Sequence, residues 1–284
     1  MPQKLWPKKI SLQLPLSDTT RVFKSEWKNM MDEVCRKHPV WQTNFVKTLK
    51  NTENLEMCFN LATVWSVNMV VGSYCFPRYV AALAARAEQD AVRHGLLENA
   101  WDESGSRGHT VRSHFWLAVR LAHLLGLSKK QIENIQPLNH ASIYTDVHYN
   151  TCVSENFPFA LGMLCLIEEF TTPEFTMILE AFGRSCQVGM GLQSKDFMLR
   201  GGDAYFTANI ADDERHREEM PRLVATYLLH GGCDLNNQQD VRRGLKIVGN
   251  GARYSADLRQ NFFEDIYRFV LNGGHLLDLI SRSE

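Results

Sequence analysis

The sequence predicts an all-α protein, on three observations. Apolar residues recur at three- and four-residue spacing along most of the 284-residue chain. No stretch alternates polar with apolar residues for long enough to make a convincing strand. Capping and stopping residues also fall at helical intervals.

In chain order the spacing predicts helices over 20–37, 54–74, 78–88, 90–103, 110–125, 128–134, 143–154, 157–170, 173–186, 202–229, 238–245 and 252–272. Gly72, Gly126 and the pair Gly231 and Gly232 serve as stops, Ser128 as an N-cap, and Pro173 as a first-turn residue. The glycine-rich stretch 186–202 reads as a loop able to act as a lid. Composition does not shift along the chain and no repeat is present. This predicts an N-terminal arm over 1–19 followed by a single helical domain over 20–284.

A hydrophobic content of 44% is ample for a large core. The net charge of −1, from 31 basic and 32 acidic residues, argues against a nucleic-acid or anionic-membrane footprint, which needs clustered positive charge. The substrate is therefore expected to be a small molecule, free or borne on a protein. Lys4, Lys8 and Lys9 precede no apolar core of a signal peptide, and runs such as 157–167 fall short of the roughly 20 residues that span a bilayer. Seven cysteines without a CxxC pair read as reduced, mostly buried thiols. A cytoplasmic protein that forms a homodimer is expected.

Chemistry concentrates in 205–216, where Asn209, Asp212, Asp213 and His216 share one side of a helix. Three other segments add donors. Glu103 continues the face of Val92, Leu96 and Ala100, and His114 lies on the face of Val111, Ala118, Leu121 and Leu125. Glu168 and Glu169 end an almost wholly apolar run, where negative charge opposes the helix dipole and calls for a purpose. Spacing does not choose between them, since Glu168 continues Leu161 and Leu164 while Glu169 continues Gly162 and Cys165. Oxygen and imidazole donors projected inward from several helices suit iron or manganese better than thiolate-bound zinc. His109 and His123 are weaker donors by position. Trp65, Asn68, Tyr74, Tyr144, His148 and Tyr205 are polar-tipped pocket residues, with His148 the first to consider as a proton donor or carboxylate partner.

These residues resemble the haem-oxygenase-like diiron oxidases and oxygenases, a family related in fold to the thiaminase-like and pyrroloquinoline-quinone-synthase-like proteins. The resemblance rests on 76–86, Leu96 to Asn99 with Asp102 and Glu103, and His114 with Leu117. It continues through Glu169 ahead of Pro173, the 205–216 segment, and Arg259, Phe262 and Asp265. It implies a bundle of about seven core helices that holds two Fe(II) ions and activates dioxygen as co-substrate. By motif position it implies Glu103, His114, Glu169, Asp213 and His216 as ligands, with Glu168 the substitute for Glu169. Family members typically show HxxxDxxH, whose first histidine is Asn209 here, so Asn209 would be a weak ligand. The implied activity is oxidative tailoring of an amino acid or amino-acid-derived metabolite, by N-oxygenation, desaturation or C–C scission. Two alternatives stand beside it. One is a metal-free, thiaminase-like or cofactor-independent enzyme, with Cys152 or Cys186 as nucleophile and a carboxylate base. The other is a non-catalytic partner whose metal site has decayed at Asn209.

Overall fold

The computed structural model describes residues 19–51, 53–105, 113–154 and 156–280, apart from the side chains of Asp213 and Glu214. Most of the expected N-terminal arm, and His109, lie outside the described residues. The protein is all-α. Among the described residues there is no strand, and an isolated bridge joins Ile135 to Ile280.

The helices are α1 (Arg21–Met31), α2 (Asn44–Lys50), α3 (Leu55–Arg86), α4 (Asp90–Glu103), α5 (His114–Leu124), α6 (Lys129–Glu133), α7 (Asn139–Ser154), α8 (Phe157–Met190), α9 (Ser194–Leu199), α10 (Ala204–His230) and α11 (Gln238–Leu271). Local chemistry sets many of their starts. Thr20, Thr43, Asn54, Ser113 and Asn237 each accept a first-turn backbone N–H, and Ser128 forms a capping box with Gln131.

Three pairs of predicted helices are single helices in the structure. α3 runs through Gly72 and Pro77, α8 runs through Pro173, and α11 joins 238–245 to 252–272. An interior proline removes one hydrogen bond, which packing of the flanking turns against neighbours offsets. Pro221 lies inside α10 in the same way. The predicted loop over 186–202 is also largely helical. α8 persists to Met190, stops at Gly191 with φ of 67°, and gives way to α9. α2 was not foreseen, since its seven residues are too few for a periodic pattern to show.

α8 is the central column, packed against α3, α10 and α11, while α3 also supports α4, α5 and α7. α3 is long and apolar enough to cross a membrane by length and composition. Here most of its apolar residues between Cys58 and Ala84 are buried among the other helices. α8 and α11 cross with their backbones touching. A methyl group at Gly162 would overlap the carbonyl of Val248, and one at Gly251 would overlap the carbonyl of Phe159. α7 is fastened to α11 by His148, whose Nδ1 lies 2.6 Å from the Tyr144 carbonyl and whose Nε2 lies 2.8 Å from Ser255 Oγ. That arrangement fits a neutral ring that donates from Nδ1–H and accepts the serine hydroxyl at Nε2. Complete burial, together with the nearby Arg259 charge, lowers the His148 pKa to about 3.

Two expectations follow from these contacts. Gly162→Ala and Gly251→Ala should each destabilise the fold by about 2 kcal/mol or more, because neither carbonyl can yield without parting the helices; urea midpoints measure this. His148 binds its proton more readily when unfolded, so its contribution to stability is complete above pH 6.5 and declines as pH falls toward 3. The loss should reach about 2 kcal/mol at pH 5. Comparing the pH dependence of the urea midpoint in wild type and His148→Gln isolates it, since other titrating groups are common to both proteins.

Candidate metal centre and cavity

Four helices deliver their polar residues to one buried region. α4 brings Asp102 and Glu103 in its last turn. α5 begins at His114, immediately after the capping Ser113, so the cap fixes where that imidazole enters. α8 contributes Glu168, and α10 contributes Asp212, Arg215 and His216 at helical spacing. Asp102, Glu103, His114, Glu168 and His216 are all buried, His114 and His216 almost completely.

The contacts are direct. Glu103 Oε2 is 2.6 Å from His114 Nδ1, and Asp212 Oδ2 is 3.2 Å from His114 Nε2. His216 Nδ1 lies 3.5 Å from Glu168 Oε2 and 3.9 Å from Glu103 Oε1, while its Nε2 lies 3.5 Å from Asp102 Oδ2. Arg215 closes the outer side with an ion pair of 2.6 Å to Asp102 and a longer one of 3.7 Å to Asp212. Asn99 donates to Glu168 Oε1 at 2.8 Å and orients that carboxylate. Among the described residues no three of these groups converge on one point as metal ligands, because their donor atoms are turned on one another.

Four carboxylates thus face two imidazoles and one guanidinium. Burial opposes a proton on His114, but Glu103 and Asp212 outweigh it and raise the pKa to about 10. Burial likewise opposes a charge on His216, which Glu168 and Glu103 raise to about 9. Asp212 is held below the ordinary carboxylate range, chiefly by its hydrogen bond from His114.

The structure separates the two glutamates that spacing left open. Glu168 is in the cluster; Glu169, the residue favoured by motif position, is not. Glu169 lines a different, open cleft with Arg36, Lys50 and Arg217. On α8 the 100° step from one residue to the next turns Glu169 toward that cleft and away from the cluster that Glu168 enters. Asn209 is buried and donates to the Tyr205 carbonyl of its own helix at 2.6 Å, and it lines a cavity beside Glu103 rather than joining the imidazoles. The side chain of Asp213 lies outside the described residues.

The cavity has a volume of about 50 Å³ and reaches from Glu103 and Asn209 to Tyr144 and Arg259, with Asn68, Ser73, Phe175 and Tyr205 along its walls. Tyr205 shares a hydrogen bond of 2.8 Å with Ser73. Three other expected pocket residues lie elsewhere. Trp65 is buried and donates from Nε1 to Glu174 at 2.6 Å, Tyr74 is 49% exposed beneath Arg78, and His148 is the tether between α7 and α11. With a pKa near 3, and with the Tyr144 carbonyl and the Ser255 hydroxyl as its partners, His148 is unsuited to proton donation at neutral pH. The proposed thiol nucleophiles also fall away from the cavity. Burial pushes Cys152 up to about 12 and Cys186 upward, and neither thiol lines the cavity wall.

Sequence reasoning missed Asp102 as a member of the cluster, and Glu174 altogether. Glu174 is fully buried and holds Arg259 at 3.2 Å. Its signal was there to find: an acid followed by Phe175, Met177 and Ile178 belongs to an inward helix face.

Comparison with known proteins gives this geometry a context. A family model described as "iron-containing redox enzyme" matches residues 63–247. The chain is 25% identical over 172 residues to the 4-aminobenzoate synthase of Chlamydia pneumoniae, which covers 58% of this chain and 69% of that protein. Its fold is similar to that of a CADD-like protein of unknown function from Nostoc punctiforme, with TM-score 0.63, 17% identity, and coverage of 87% of this chain and 97% of that one. A domain of unknown function with a heme oxygenase-like fold from Shewanella denitrificans aligns with TM-score 0.59, 16% identity, and coverage of 90% and 97% respectively. At such low identity the two structures show a shared fold alone. The matched family model covers most of the helices that build the site, and on that basis the chain belongs to the iron-containing redox enzymes.

Proposed function

We propose that this protein is a non-haem iron enzyme that binds two ferrous ions among Glu103, His114, Glu168, Asp212 and His216 and uses dioxygen to oxidise a small amino-acid-derived molecule. The observation that carries the reading is the meeting of carboxylates and imidazoles from α4, α5, α8 and α10 in a buried place beside a cavity. The donor set fits iron: it is all carboxylate oxygen and imidazole nitrogen, without thiolate. Four carboxylates against two imidazoles and one guanidinium leave a net negative charge even with both rings protonated, which also fits a divalent cation. When bound, iron would supply the one-electron steps by which dioxygen reacts with a closed-shell organic molecule.

The chain's own residues contribute placement. Asn99 fixes Glu168 by hydrogen bonding, and Arg215 holds Asp102 while covering the cluster on its outer side. Phe175 and Ile167 make part of the cavity wall apolar and keep water scarce around the reacting group. The 4-aminobenzoate synthase relative is consistent with a product that carries both nitrogen and a carboxylate. The cavity volume of about 50 Å³ compares with roughly 10–15 Å³ for a single water, which favours a compact, freely diffusing substrate over a long chain.

Anaerobic loading of metal-free protein with ferrous iron should give close to two ions per chain. Glu103→Ala, His216→Ala and Glu168→Ala should each lose most of that uptake while retaining helix content by circular dichroism. Glu169→Ala should load like wild type. Uptake that survives in all three cluster variants, or is lost only in Glu169→Ala, would remove the assignment.

A further inference from the structure

The α7 and α11 side of the cavity holds a second buried ionic group, separate from the carboxylate and imidazole cluster. Arg259 is 4% exposed, yet it lines the cavity. Its Nη1 donates to Glu174 Oε1 at 3.2 Å and its Nη2 donates to the Tyr144 hydroxyl at 3.0 Å, with the guanidinium 4.4 Å from the centre of the Tyr144 ring. Glu174 Oε1 is held in turn by Trp65 Nε1, so the guanidinium is fixed in orientation from behind. These contacts leave Arg259 Nε–H without a hydrogen-bond partner among the described residues.

A buried, charged N–H left unused is costly, and a charged donor is strongest toward an anionic oxygen. A guanidinium grips a carboxylate well because its planar N–H groups match the two oxygens. Its pairing with Glu174 leaves the local charge near neutral, which suits one negative charge from a ligand better than the two of a phosphate. The other polar groups nearby, the Tyr144 hydroxyl and the Asn68 amide, are neutral and can share hydrogen bonds with the same ligand.

We propose that Arg259 and Tyr144 form a carboxylate-binding subsite, so that the substrate is a compact monocarboxylate anchored on the α11 wall with its oxidised end toward Glu103 and Asn209. This deepens the proposed function and rests on it for the identity of the oxidised end. The anchor itself is a feature of the cavity and requires no metal.

Propanoate and propanamide are matched in size and differ in the charge that Arg259 would read. Their binding to full-chain protein, loaded with iron under anaerobic conditions, can be followed by ligand-observed NMR. Propanoate should bind at least about tenfold more tightly than propanamide. Arg259→Gln combined with Glu174→Gln removes both buried charges together, so neither is stranded, and this double variant should bind the two probes alike. Equal binding of the probes to wild type overturns the proposal, even if the double variant fails to fold. So does a preference for propanoate that survives in a folded double variant, because the carboxylate then binds elsewhere, at the iron or the imidazoles. The iron count of the same wild-type sample keeps the two readings apart. No iron with a preference that depends on Arg259 removes the proposed function alone, and full iron without preference removes the subsite alone.

Discussion

Acid buried in a helical core is the constraint to which the rest of this structure answers. A carboxylate taken out of water without compensation loses several kcal/mol or takes up a proton. Asp102, Glu103 and Glu168 are nevertheless all buried between α4, α8 and α10. The compensation comes from His114, His216 and Arg215, and each reaches the acids only because its helix starts or crosses where it does. Replacing such a group by apolar residues would generally make a more stable protein. Its retention in the centre of the fold points to use rather than to stability.

Among the described residues two such buried polar groups border the cavity, with an uncharged wall between them. One is rich in acid and imidazole and draws on α4, α5, α8 and α10. The other is a single Glu174–Arg259 pair backed by Trp65 and Tyr144, and it ties α8 to α11. α8 serves both, since Glu168 and Glu174 are six residues apart on one helix. The crossing at Gly162 and Gly251 sets how closely α11 approaches α8, and so where Arg259 stands relative to Glu174.

Helix type and order were legible in the sequence because apolar spacing is dictated by burial on one side of each helix. Continuity was not, because a proline or glycine inside a predicted helix carries the same local signal as one at its end. Pro173 illustrates this, read as a start and found in the interior of α8. Glu103 and His114 could be singled out because each extends an apolar face, and His216 because helical spacing puts it on one side with Asn209 and Asp213. The choice between Glu168 and Glu169 could not be made, since both continue apolar rows and only the placement of α4 and α10 distinguishes their destinations. Asp102 was obscured by its acidic neighbour. Glu174 was obscured because an acid after proline is ordinary in a first helical turn.

The interior prolines of α3, α8 and α10 stand in a consistent relation to the site. Each removes the hydrogen bond to the carbonyl four residues earlier, which belongs to Ser73 for Pro77, Glu169 for Pro173 and Arg217 for Pro221. Ser73 borders the cavity, Glu169 adjoins Glu168, and Arg217 adjoins His216. The backbone is thus relieved of one restraint in the same turns that present the polar side chains, while the helix ends remain clamped by their neighbours. The result is a set of turns with one backbone restraint fewer, placed next to the buried polar side chains inside helices whose ends stay packed against their neighbours.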